Sequence, residues 1–201
     1  MPRMKLSQDV FAYVIALAAV VNGLGLVRLM GGVGDYLRMR RKLTLIPYWP
    51  HVISAIFQLL LHILLWWSVL GLKAAGNITF LTYLYLLAGP GLLFLATSVI
   101  VPDVSGDSLD LRPQYYGVRK IYYSILSVFW LWAIFLWPAF GYPFAPTASL
   151  ASVWLAIAIV LRLTANEKVH SFLVIANLVV YATFVAIFAM NLVEVGRQMT
   201  Q

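Results

Sequence analysis

The chain has 201 residues, 63% hydrophobic and 10% charged, with a mean hydropathy of +0.90. A soluble domain runs at about 45–50% apolar and 25% charged, so this composition points to a bilayer and excludes an ordinary water-soluble domain. The formal charge of +7 is scattered over short loops and is no nucleic-acid footprint, and the absence of cysteine excludes disulfides, iron–sulfur clusters, thiolate metal sites and cysteine nucleophiles.

A membrane-spanning helix needs about 20 mostly apolar residues. Six such segments are predicted, at 10–30, 47–72, 78–101, 118–140, 148–164 and 169–191. They use up most of the chain. The expected architecture is therefore all-α, a polytopic membrane helix bundle forming a single domain over residues 1–201.

The first segment opens with "MPRMKLSQDVFAYVIALAAVV", a basic start and an apolar run, as a secretory signal would. The run continues to Met30 without an A-x-A pattern, which predicts a retained first helix. It ends in "GLGLVRLMGGVGDYLRMRRK", so the helix is expected to run past Gly34 as a basic juxtamembrane segment. Arg38, Arg40, Arg41 and Lys42 are candidate contacts for anionic lipid headgroups, at about 1 kcal/mol per basic residue. Within it, "GVGD" at 32–35 resembles the Gly-x-Gly-Asp of aspartyl intramembrane proteases. That chemistry needs a second carboxylate to share a proton, and Asp103 is the reasonable partner, although order and spacing depart from that family.

The second segment begins "PYWPH", with Pro50 suited to a first helical turn and Tyr48 and Trp49 to the interface. Trp66 lies about 26 Å further along a helix, and with Trp67 it matches the second of two aromatic belts across one bilayer. Between them, His51, Ser54, Gln58 and His62 fall on one helical face, with His62 about 16 Å deeper than His51. In the sixth segment His170, Asn177 and Tyr181 share a face, and the first offers Asn22. Polar groups in hydrocarbon turn toward the bundle interior, because an unpaired one is costly. Gln58 and His62 are therefore expected to point toward the side of the sixth helix that carries Asn177 and Tyr181.

The third segment contains "LAGPGLL" at 87–93, which predicts a kink or short break at Pro90. Interrupted helices mark binding sites in transporters built on repeats, but "VIANLVV" in the sixth segment holds no matching break and no internal repeat is evident. The third loop, "VPDVSGDSLDLRPQYYGVRK", carries Asp103, Asp107 and Asp110, yet an EF-hand frame fails at its sixth and twelfth positions. Asp107 and Ser108 are expected to make turns or cap a short helix. The fourth loop, "WPAFGYPFAPT", carries no charge and reads as a compact outer-face loop. In the fifth, "TANEK", Asn166 is the expected N-cap of the last helix.

Loops 1, 3 and 5 hold Arg38, Arg40, Arg41, Lys42, Arg112, Arg119, Lys120, Arg162 and Lys168, with Arg28 nearby, against Arg3, Lys5, Lys73 and Arg197 on the other side. The positive-inside rule puts these loops in the cytoplasm and both termini outside. Arg3 and Lys5 argue the other way and are outweighed by the first loop.

The strings "PYWPHVISAIFQ", "VPD" and "DLRPQYYGVRKIYY" resemble a family of bacterial six-helix integral membrane proteins with no known activity. The likeness covers most of the chain. It implies the six-helix topology and a bacterial inner-membrane location, and nothing about function.

No Asp or Glu lies in the core of any segment, which disfavours a pump built on a buried carboxylate. No Gly-x-Ser-x-Gly elbow or His-Glu-x-x-His motif is present, so no catalytic residue or metal ligand is assigned. Three readings of the polar face stay open. It is interhelical glue, at about 0.6–2 kcal/mol per hydrogen bond. It is a hydrated path or pocket for a small solute, ion or proton. Or His51 and His170 ligate a b-type haem from two helices. The expected function is a small transport, channel or sensing protein. The alternative is a non-catalytic assembly or partner-binding subunit, homo-oligomeric or joined to another membrane protein.

Overall fold

The computed structural model describes residues 2–71, 79–103 and 108–189. Its elements are α1 (Pro2–Met39), β1 (Thr44–Ile46), α2 (Trp49–Gly71), α3 (Phe80–Ile100), β2 (Ser108–Asp110), α4 (Leu111–Ile134), α5 (Leu136–Ala139), α6 (Ala148–Leu163) and α7 (Glu167–Phe184), the last continued by a π-helical stretch, Val185–Ala189. Among the described residues, four helices are long and apolar enough to cross a membrane: α1 from Ile15, α2, α3, and α7 with its π-helical end. α6 is apolar but short, and α4 carries Arg112, Arg119 and Lys120 in its first turns. The apolar side chains of Tyr13, Val27, Leu81, Leu163 and Phe172 are mostly exposed, which suits a surface facing lipid.

α1 continues to Met39, as the basic extension predicts. α4 starts earlier than expected because Asp110 caps it, accepting a hydrogen bond from the Arg112 N–H at 2.9 Å. Its expected span to 140 divides at Phe135 into α4 and α5. Asn166 caps α7, accepting from the Lys168 and Val169 N–H groups. α3 runs unbroken through Pro90, so the short break expected there is absent. Gly89 and Pro90 are instead buried against α4, where a Cβ on Gly89 would overlap the Trp132 ring. One turn away, Tyr85 and Trp132 bond reciprocally: the Tyr85 hydroxyl donates to the Trp132 carbonyl and the Trp132 indole N–H to the Tyr85 carbonyl, both at 2.7 Å. This contact explains the glycine beside the proline.

A second departure lies in the loops. β1 and β2 form a parallel pair in the register Thr44↔Ser108, Leu45↔Leu109 and Ile46↔Asp110. Ser108 is therefore a strand residue and not a turn or cap, because pairing with Thr44 satisfies its backbone. Three-residue strands leave no periodic signal to find. Asp107, Lys73, Glu194, Arg197 and Gln201 lie outside the described residues.

The ribbon gathers several helix ends at one end of the bundle. There Arg28 of α1 pairs with Asp103 at 2.6 Å, Arg112 of α4 pairs with Glu167 of α7 at 2.8 Å, and Arg119 donates to the Thr164 carbonyl beyond α6. The apolar core includes an aromatic cluster. Trp130 of α4 stacks on Trp154 of α6 at 4.4 Å, with Phe57, Phe129 and Phe184 around them.

Candidate functional site

His62, Gln58 and Thr97 are fully buried, and Asn22 is nearly so. They form one hydrogen-bonded group. His62 Nδ1 is 2.7 Å from Asn22 Oδ1 and its Nε2 is 2.8 Å from Thr97 Oγ1. Asn22 Nδ2 donates to the His62 carbonyl at 3.2 Å. Gln58 Nε2 donates to Thr97 Oγ1 and to the Leu93 carbonyl, both at 3.1 Å, and the Tyr122 hydroxyl donates to Gln58 Oε1 at 3.1 Å.

One proton assignment satisfies all of these contacts. Asn22 Oδ1 can only accept, so His62 Nδ1 carries the hydrogen. His62 Nε2 then accepts from the Thr97 hydroxyl, which in turn accepts from Gln58. Each polar side chain of this group is paired, as burial in hydrocarbon requires. The group ties α1, α2, α3 and α4 together. Gly25 makes room for it, since a Cβ there would overlap the His62 ring.

A second chain lies nearer the basic end. His170 Nε2 is 2.9 Å from the Thr164 carbonyl, so it donates. Nδ1 accepts from the Tyr115 hydroxyl at 2.7 Å, and Tyr115 accepts from Tyr123 at 2.8 Å. Tyr123 stands 3.4 Å from Ser54 Oγ. The Ser54 hydroxyl donates to the Pro50 carbonyl at 2.7 Å, and the Tyr123 hydrogen goes to Tyr115. No hydrogen is left for the Ser54–Tyr123 contact, which accounts for its length. The Ser54 carbonyl lies 3.5 Å from the Tyr122 hydroxyl of the first group, so the two groups adjoin at Ser54.

The structure brings Gln58 and His62 into the bundle but not toward α7. Their partners are Asn22, Thr97 and Tyr122. The expectation that they face Asn177 and Tyr181 is corrected: α7 meets α2 on another face, where Tyr181 donates to the Leu60 carbonyl at 3.3 Å and packs edge-on against Phe57. Asn177 is buried, and its carbonyl accepts from the Trp154 indole N–H at 3.4 Å. Thr97 and Tyr122 escaped the sequence reading, because a lone threonine or tyrosine in an apolar helix is unremarkable. Their spacing from known neighbours gave no further signal.

His51 and His170, the two candidate haem ligands, both stand against one aromatic ring. The Tyr115 ring lies beside both imidazoles, with centroids 6.2 Å from His51 and 5.3 Å from His170, and both His170 nitrogens are engaged. His51 is buried with no hydrogen-bond partner at Nδ1. The "GVGD" aspartate is not part of a carboxylate dyad. Asp35 pairs with Arg38 at 3.5 Å and Asp103 with Arg28 at 2.6 Å, each carboxylate balanced by its own arginine and well exposed. Asp110 is committed to capping α4. Arg40, Arg41 and Lys42 are exposed beyond the end of α1.

No family model, curated protein or solved structure matches this chain.

Proposed function

We propose that the chain is a six-crossing protein of the bacterial inner membrane with both termini outside, and that it serves as a non-catalytic assembly or partner-binding subunit through its basic cytoplasmic end. One observation carries the reading: Gln58 and His62, the deep polar side chains of α2, are satisfied by Asn22, Thr97, Leu93 and Tyr122 of the same chain. A conduit needs polar groups that are open to the passing solute. A proton relay needs groups that both take and pass a proton, and the Gln58 amide interrupts the line between Thr97 and Tyr122. The basic end differs. Arg40, Arg41, Lys42, Lys120, Arg162 and Lys168 are exposed there, on a frame held by the β ribbon and the Arg112–Glu167 pair. That frame is a surface suited to an acidic partner or an anionic leaflet.

The test is reconstitution in liposomes beside measurement of the native assembly. The expected result is no conductance or uptake above protein-free vesicles, with Arg40→Glu/Arg41→Glu/Lys42→Glu lowering the assembly size and leaving the fold intact. Conductance that His62→Leu abolishes would overturn the proposal.

A second reading, proton sensing, is favoured by the 3.4 Å Ser54–Tyr123 contact. Protonating His170 at Nδ1 would reverse the chain, with His170 donating to Tyr115, Tyr115 to Tyr123, and Tyr123 to Ser54. Arg119 donates to the same Thr164 carbonyl as His170, and Tyr115, Tyr116 and Tyr123 surround the ring. Under this reading, thermal stability changes between about pH 5 and 8, the range in which histidine switches, and Ser54→Ala removes the change. A pH profile identical in the wild type and Ser54→Ala would dismiss it.

A further inference from the structure

On the outer surface, α6 and α7 leave an open groove of about 510 Å³ between them. Its walls are apolar: Ala156, Ile157 and Val160 from α6, Phe172 and Leu173 from α7. Its one charged lining residue is Lys168, at the end nearest the turn. We propose that this groove holds one anionic phospholipid, with an acyl chain along Ala156, Val160 and Phe172 and its phosphate on the Lys168 ammonium.

Three features support that occupant. The first is charge. Around the α6–α7 turn stand Arg112, Arg119, Arg162 and Lys168 against one carboxylate, Glu167, and Glu167 is already paired with Arg112 at 2.8 Å. Lys168 makes no ion pair among the described residues, and its exposed position leaves all three ammonium donors available. The α7 N-terminus is not the anion site, because the Asn166 side chain already caps the Lys168 and Val169 N–H groups.

The second is shape. Ala156, one turn before Val160, gives the α6 wall a small side chain, and Phe172 stands 71% exposed on the other bank. A water-filled groove with such walls would be unfavourable, whereas a hydrocarbon chain matches them. The volume lies within the roughly 300–1,000 Å³ of ordinary ligand sites. The third is length. α6 has 16 residues, about 24 Å of helix, against a hydrocarbon thickness of about 30 Å. A lipid beside so short a helix brings its headgroup down toward the turn, and so to Lys168.

The proposal rests on the bilayer placement proposed above. The experiment is lipid retention by the full chain, purified from vesicles of phosphatidylcholine and phosphatidylglycerol and read by native mass spectrometry. One phosphatidylglycerol per chain is expected in preference to phosphatidylcholine. Lys168→Gln should cut that preference by about fivefold, the factor expected of one basic residue at an anionic surface. Ala156→Phe should remove retention by filling the groove, and Leu95→Phe, on the exposed face of α3 away from the groove, should leave it unchanged. Ala156→Leu, a smaller filling, keeps the test open if the phenylalanine variant fails to fold. Equal retention of both lipids overturns the proposal, as does retention unchanged in the Lys168 and Ala156 variants. Displacement by inorganic phosphate assigns the site to a free anion and overturns it as well. A chain that fails to enter the vesicles retains neither lipid, which separates failure of the bilayer placement from failure of the groove.

Discussion

Asn22 and His62 are bonded to each other twice. The imidazole Nδ1–H donates to the Asn22 side-chain oxygen at 2.7 Å, and the Asn22 amide donates back to the His62 main-chain carbonyl at 3.2 Å. A carbonyl inside α2 is normally spent on its own helix, so Asn22 reaches α1 across to a lone pair the helix leaves free. The pair locks both the rotation of α1 and its height against α2.

This reciprocity predicts coupling. Asn22→Leu and His62→Leu should each lower stability by about 1–2 kcal/mol, the range for polar contacts in membranes. The double variant should cost less than the sum, because each single change leaves a buried partner unpaired. Chemical unfolding in detergent micelles measures the cycle. Strict additivity would show that the two residues do not act together.

Two glycines of α1 should behave oppositely. A Cβ at Gly25 would overlap the His62 ring, whereas at Gly23 nothing lies within 4 Å. Gly25→Ala is expected to destabilise by about 1–3 kcal/mol through overpacking. Gly23→Ala should be neutral or stabilising by up to about 1 kcal/mol through helix propensity. Melting temperatures of the two variants, compared side by side, decide it. A stable Gly25→Ala protein would mean that α1 does not sit this close to α2.

The Tyr85–Trp132 clamp gives a third test. Trp132→Phe keeps the ring but loses the N–H bond to the Tyr85 carbonyl, and should cost about 0.5–1.5 kcal/mol. Gly89→Ala should cost more, since its Cβ would overlap the indole of Trp132. In the Trp132→Phe background the Gly89→Ala penalty should shrink, because the smaller ring relieves the overlap. An undiminished penalty would place the fault in α3 itself.

The exposed Arg112–Glu167 pair predicts little by itself. Both side chains are about half exposed, so Glu167→Gln should change stability by less than about 1 kcal/mol. That small effect should vanish in high salt. A loss of several kcal/mol would imply that the pair is shielded by something seated on the basic end, and thermal unfolding with and without salt distinguishes the two.

Orientation is tested separately. The charge asymmetry predicts that a reporter fused after Lys42 is cytoplasmic and one fused at Gln201 is outside. A cytoplasmic Gln201 reporter would reverse or break the six-crossing topology.

By itself the sequence determined that the chain is built of apolar helices, four of them in the described residues long enough to cross a membrane, and that Gln58, His62 and Asn22 must turn inward. Both follow from a local quantity: an apolar stretch of sufficient length belongs in lipid, and a polar group within it cannot stay unpaired. The same local reasoning found the Asn166 cap and the long basic end of α1. What faces what was decided only by tertiary structure. Gln58 could have met any helix able to offer a donor and acceptor. It met Thr97 and Tyr122 because α3 and α4 pack on that side of α2, with Gly25 and Gly89 admitting His62 and Trp132 at close range. The parallel ribbon was equally invisible, since Thr44 and Ser108 become neighbours only after α2 and α3 have carried the chain across the bundle and back. Hydropathy is a property of each segment, whereas a hydrogen-bond partner is a property of two, fixed by side-chain volumes at the contact between them.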